Sequence, residues 1–246
     1  MIDSLLLLSG NDLPFPEAAI TIHHPTLREI AYVGEDNFFN GYQLLNISKN
    51  LLTDEDKSNL DDLTNFDILI AILGERNAVM QKNRNCVIMT LALLFPTCSV
   101  HLGAKAIVLN DDDGEEHLID NKNFDIFQNI IKKMFSFGEP EEGTQTDFNP
   151  DGELAKKIAN KLKKRHQKLA EKNNDENSNF LARYISVVAI ATNQNINTIF
   201  NYTIYQLFDI LKRYELKDEH DIYIKAKLAG AQDLKEPEDW MKEIHP

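Results

Sequence analysis

The sequence predicts an α+β fold in which helix predominates, on three observations. Apolar residues recur at three- and four-residue steps over most of the chain, a short stretch around Asp113-Gly114 alternates instead, and the turn-rich "GNDLPFPE" separates two short apolar runs near the start. The expected organisation is an N-terminal α+β domain over 1–136, with short strands and a β-hairpin, then a linker over 137–150 and a helical C-terminal domain over 151–246.

Leu5 to Ser9 and Ala18 to Ile22 read as strands on either side of the first turn. Thr26, directly after Pro25, stands where a helix N-cap belongs, and Glu29 lies three residues further on. That is a capping box, in which hydroxyl and carboxylate satisfy backbone N–H groups that the first helical turn leaves unpaired. Leu60, Leu63, Phe66, Ile70 and Leu73 keep helical steps, and a long apolar helix follows over Ala78 to Leu94, with Pro96 to end it. In "SVHLGAKAIVLNDDDGEEHLID" the Asp113-Gly114 pair supplies the positive φ angles of a tight hairpin turn. "NFDIFQNIIKKMF" then reads as a helix.

"FGEPEEGTQTDFNP", residues 137–150, offers almost nothing to bury and reads as the linker. Beyond it, helices are expected near 151–173, 179–192, 195–216 and 218–229, followed by a tail around Trp240; no internal repeat is evident.

The net charge of −13 is unevenly spread: residues 1–150 hold 24 Asp/Glu against 10 Lys/Arg, and residues 151–246 hold 15 against 16. An acidic N-terminal part argues against wholesale nucleic-acid binding, which depends on neutralising phosphates. The two cysteines, Cys86 and Cys98, sit among apolar neighbours and suit a reducing compartment better than a disulfide framework. "MIDS" lacks the basic start of a secretory signal, and "VIMTLALLFP" is too short to cross a membrane. The expected location is the cytosol of the cell that makes the protein, with no membrane partner.

The motifs with chemical potential resolve mostly to plain readings. His23 and His24 point to opposite faces if they lie on a strand, so a structural or surface role is expected rather than chelation of one ion. In "LNDDDGEEHLID", aligning Gly114 with the turn glycine of a calcium loop puts Leu109 at the first ligand position and Asp120 at the last, so an acidic turn is expected. No phosphate-binding glycine loop, nucleophile elbow, zinc-protease helix or paired-cysteine motif occurs; no catalytic residue, cofactor or metal is assigned and a non-enzymatic protein is expected.

Two stretches remain as binding surfaces. "ELAKKIANKLKKRHQKLAEKN" carries eight Lys/Arg against two acids, and Lys156, Lys163, Lys164, Arg165 and Lys168 are its basic-face candidates, for an acidic protein or for nucleic acid. The aromatic-rich stretch from Tyr202 supplies Tyr202, Tyr205, Phe208 and Tyr214, which with Trp240 are interface candidates and equally core candidates.

Two separated stretches, "IHHPTLREIAYVGEDNFFNGYQLL" and "NYTIYQLFDILKRYELKDEHDIYIKAKLAGAQDLKEPEDWMKEIHP", resemble in order a group of tailed-bacteriophage proteins encoded among tail genes. The first is similar to their usual start, a short strand and a helix opened at Pro-Thr; the second is similar to their ending, with its Gly and closing Trp-Met. These proteins are similar in kind to tail assembly chaperones and baseplate hub assembly proteins. The resemblance implies a role in binding other tail or baseplate proteins and no chemistry, with a permanent virion component or a nucleic-acid-binding regulator as the alternatives.

Overall fold

The computed structural model describes residues 2–48, 63–74, 78–135, 180–230 and 235–242. Its architecture is α+β with helix dominant, as expected, around one two-stranded and one three-stranded antiparallel sheet. The linker at 137–150 and the basic-face residues Lys156, Lys163, Lys164, Arg165 and Lys168 lie outside the described residues.

The chain opens with helix α1 (Ser4–Ser9), where a strand was expected. The Asp3 side chain accepts from the Leu5 N–H at 2.9 Å and Gly10 turns the chain out at φ +71°, so both helix ends are capped locally. Leucine is a strong helix former without β-branching, and four in a row follow whichever caps flank them. Strands β1 (Leu13–Phe15) and β2 (Ile20–Ile22) pair around a short 3-10 turn, Pro16–Ala18. Helix α2 (Leu27–Val33) begins at the expected Thr26–Glu29 capping box.

Helices α3 (Glu35–Leu45), α4 (Asn65–Gly74), α5 (Ala78–Leu94) and α6 (Phe124–Met134) form the helical body of the N-terminal part. The α3–α5 pair is the tightest because Gly41 lets the backbones meet. A Cβ at Gly41 would fall on Thr90 Oγ1 and 2.5 Å from the Cys86 carbonyl oxygen. Gln128 of α6 is buried and donates to the carbonyls of Leu45 at 2.8 Å and Ile47 at 2.9 Å, which satisfies acceptors at and just beyond the C-terminal end of α3.

Between α5 and α6 the chain forms β3 (Cys98–Leu102), β4 (Ile107–Asp111) and β5 (Glu116–Ile119), in that order across one sheet. The hairpin of β4 and β5 is the expected one. Its turn is longer than a two-residue type: only Gly114 of the Asp-Gly pair has positive φ (+84°), and the Asp111 N–H donates to the Glu115 carbonyl at 3.1 Å. Strand β3 is an addition to the expected hairpin.

In the C-terminal part, α7 (Phe180–Thr192) follows expectation. The helices expected over 195–216 and 218–229 are instead a single turn, α8 (Ile196–Ile199), and one long helix, α9 (Ile204–Leu228). The break falls at 200–203 because Thr203 and Gln206 form a second capping box, while nothing near Lys217 stops a helix and Lys217 pairs with Asp221 at 2.7 Å across one turn.

One hydrophobic cluster holds buried side chains from both parts, from Leu7, Phe15 and Phe38 to Ile185, Ile204 and Leu211. Polar contacts cross the same seam. The Leu27 and Arg28 N–H groups donate to the carbonyls of Tyr202 and Phe200, and the Leu181 N–H donates to Glu35 Oε1 at 3.0 Å.

Candidate protein interface on the C-terminal helices

The aromatic residues singled out in the sequence are sorted by how far along α9 they lie. Tyr205 faces inward and is only 2% exposed, so it takes the core alternative beside Ile204 and Leu207. Tyr202, half-buried just before α9, donates from its hydroxyl to Gln194 Oε1 at 2.6 Å and closes the turn between α7 and α9. Phe208 is half-buried in an aromatic group with Phe180 and Tyr184, at ring separations of 6.1 and 5.3 Å.

Tyr214 and Trp240 are the two that reach the surface, 40% and 37% exposed. Arg213, next to Tyr214 in sequence, donates from Nη1 to the carbonyls of Trp240, at 3.3 Å, and Lys242, at 2.8 Å. That pins the 239–242 turn beside the middle of α9.

The reason α9 divides into an inner and an outer half is its burial pattern. Ile204, Tyr205, Leu207, Leu211 and Leu216 are buried, and no described residue of the helix after Leu216 is. The outer half still carries Ile222, Ile224 and Leu228, which are 57%, 40% and 83% exposed. Residues at 212, 215, 216, 219, 222, 223 and 226 share one side by their three- and four-residue spacing, and they line a groove of about 540 Å³ whose opposite wall is the 235–238 stretch. Leu216, Ile222, Tyr223 and Pro237 give the groove an apolar floor; Lys212, Lys235, Glu215, Glu219, Glu236 and Glu238 rim it. Apolar floor with a charged rim is the arrangement of protein-binding surfaces.

A second exposed apolar patch lies on α7 and α8, where Val187, Ile190 and Ile196 face outward. These aliphatic positions, like Ile224 and Leu228, were not singled out in the sequence. Their signal was faint: "ELKDEHD" separates the inner apolar stripe of α9 from the outer one, and the outer stripe alone does not fix which side is covered.

The shifted titratable groups described on these helices and the adjoining 235–242 stretch belong to ion pairs. Lys217 is raised and Asp221 lowered because the two hydrogen-bond each other, and Glu238 is lowered by its bond from Lys242. Such mutual shifts belong to exposed ion pairs, which add little to stability.

Residues 171–245 match the model of a family described as the YomV second domain, a phage-derived family. No curated protein and no solved structure matches the chain. The matched stretch takes in α7, α8 and α9 together with both exposed apolar patches and the 239–242 turn, so the similarity to a phage-derived family falls on the C-terminal part of this chain.

Proposed function

We propose that this chain is a non-enzymatic bacteriophage tail or baseplate assembly protein that binds other tail proteins in a chaperone-like manner. The observation that carries the reading is that the match to the phage-derived family, residues 171–245, takes in the helices on which Ile190, Ile222, Ile224 and Leu228 are left uncovered. Exposed Ile190, Ile222 and Leu228 are costly to leave in water and gain by burial against a partner. The N-terminal part anchors this surface through the shared core, so the binding face sits on a rigid support.

The test is an affinity pull-down of the tagged full chain from phage-infected cells, with mass spectrometry of what co-purifies and a parallel search in purified virions. Tail or baseplate proteins in the pull-down, with the chain absent from virions, support a transient assembly factor. Presence in virions makes it a permanent component. Recovery with nucleic acid alone, in binding that weakens steeply with salt and is lost when Lys163, Lys164 and Arg165 are neutralised, overturns the reading in favour of a regulator acting through the basic segment.

A further inference from the structure

At the β4–β5 turn three side chains with ligand chemistry converge. Asp111 ends β4, Glu115 ends the turn and His117 lies within β5, and one ligand atom from each lies within 4.8 Å of the other two. Glu115 and His117 are two residues apart and so share a side of the chain. The spacing is unlike that of a calcium loop, and what makes the group more than an acidic turn is the way its histidine is held from outside.

His117 Nδ1 lies 3.0 Å from the carbonyl oxygen of Ala18, in the 3-10 turn 99 residues earlier. A carbonyl only accepts, so Nδ1 carries the proton and donates. Nε2 then faces Asp111 Oδ2 at 3.3 Å. Asp111 is held in place, because its Oδ1 accepts from the N–H groups of Asp113 at 3.0 Å and Glu115 at 2.8 Å. Such a pair can be bridged by a proton on Nε2 or by a metal ion held by both groups. A ring whose far N–H is tied to a backbone carbonyl is oriented as metal-bound histidines are, with its other nitrogen turned to the carboxylates. The 3.3 Å separation is close to the ~3.4 Å between two ligands of one tetrahedral ion at ~2.1 Å from each.

We propose that Asp111, Glu115 and His117 bind a divalent first-row transition cation of the zinc type, with water completing the coordination. The adjoining cavity of about 460 Å³, lined also by Thr97, Cys98 and Ile20, is large enough to admit that water. One imidazole with two carboxylates suits zinc rather than calcium, which takes six to eight oxygens. His117 is only 9% exposed, so its ring direction is set by the fold. The ion ties the tip of the hairpin to the Pro16–Ala18 turn and so stiffens the end of the N-terminal part.

The experiment is a calorimetric titration of Zn2+ into the full chain at neutral pH, repeated with Glu115→Gln and His117→Gln, with the absorption spectrum of Co2+ as a second readout. The proposal predicts one equivalent bound, at least about tenfold weaker binding in each variant, and loss of the Co2+ ligand-field bands. Glu115 is exposed, so Glu115→Gln keeps the fold and decides the matter even where His117→Gln does not fold. No binding at micromolar zinc, or binding unchanged in Glu115→Gln, overturns it; the first leaves His117 hydrogen-bonded to Asp111, and the second assigns the ion to exposed histidines.

Discussion

His24 is the residue with the most to lose. It is 1% exposed, and neither ring nitrogen meets a partner at hydrogen-bonding geometry. Burial holds its pKa at about 4 against an ordinary 6.5; the Met134 backbone and Asp12 offset part of this and the neighbouring His23 adds to it. Between those two values the unfolded chain binds a proton that the folded chain refuses, so stability falls as pH drops from about 6.5 to about 4, by roughly 3 kcal/mol. Thermal melts of His24→Leu across that window should lack this loss. Its neighbour His23 differs entirely: Nδ1 meets Asp12 at 2.8 Å and Nε2 meets Glu29 at 3.2 Å. The expectation that the pair is structural follows from strand alternation, whereas the orphaned ring of His24 does not, since its burial comes from the distant α6 end.

Gly41 makes a second prediction at the same scale. An added Cβ meets backbone at Cys86, which cannot rotate away, so Gly41→Ala should destabilise the fold by about 1–3 kcal/mol in denaturant unfolding. A glycine in mid-helix announces a close approach only when the partner helix is known.

At the scale of elements, caps decide where helices start and stop. Thr203 accepts from the Gln206 N–H at 3.2 Å, Gln206 Oε1 accepts from the Thr203 N–H at 2.9 Å, and Gln206 Nε2 donates to the Leu8 carbonyl at 2.8 Å. This one box opens α9 and docks α1 on it. Thr203→Ala should cost about 1 kcal/mol, and Gln206→Ala should add increased hydrogen exchange in α1, a readout that a simple loss of helix propensity would not move. The first capping box responds to acid. Burial pushes the Glu29 carboxyl up, but bonds from the Thr26 backbone and hydroxyl and from His23 outweigh it, so the net shift is down and the box weakens as pH falls below the ordinary value of 4.5.

Elements written in local signals were legible. Ala78 to Leu94, the Thr26 box and the Asp113-Gly114 hairpin are all set by residues adjacent in sequence. The four leucines of α1 have no period to read, and the break before α9 was missed although Thr203 and Gln206 carry the spacing of a capping box. The Asp111, Glu115 and His117 group was hidden for another reason: its decisive bond comes from Ala18, and no local pattern announces a carbonyl from so far away.

At the scale of the whole molecule, the N-terminal α+β part and the C-terminal helices share a core, and the C-terminal helices present their outer faces beyond it. Of the five aromatic residues expected at an interface, the fold leaves Tyr214 and Trp240 accessible and adds the aliphatic Ile190, Ile222, Ile224 and Leu228. Helix α9 also offers natural anchors for covalent capture at Lys212, beside the groove, and at Lys217, Lys225 and Lys227 on its outer half. The most direct measurement is therefore lysine cross-linking in phage-infected cells followed by mass spectrometry. The account predicts cross-links from these four lysines to tail or baseplate proteins; cross-links that avoid every tail and baseplate protein would contradict it.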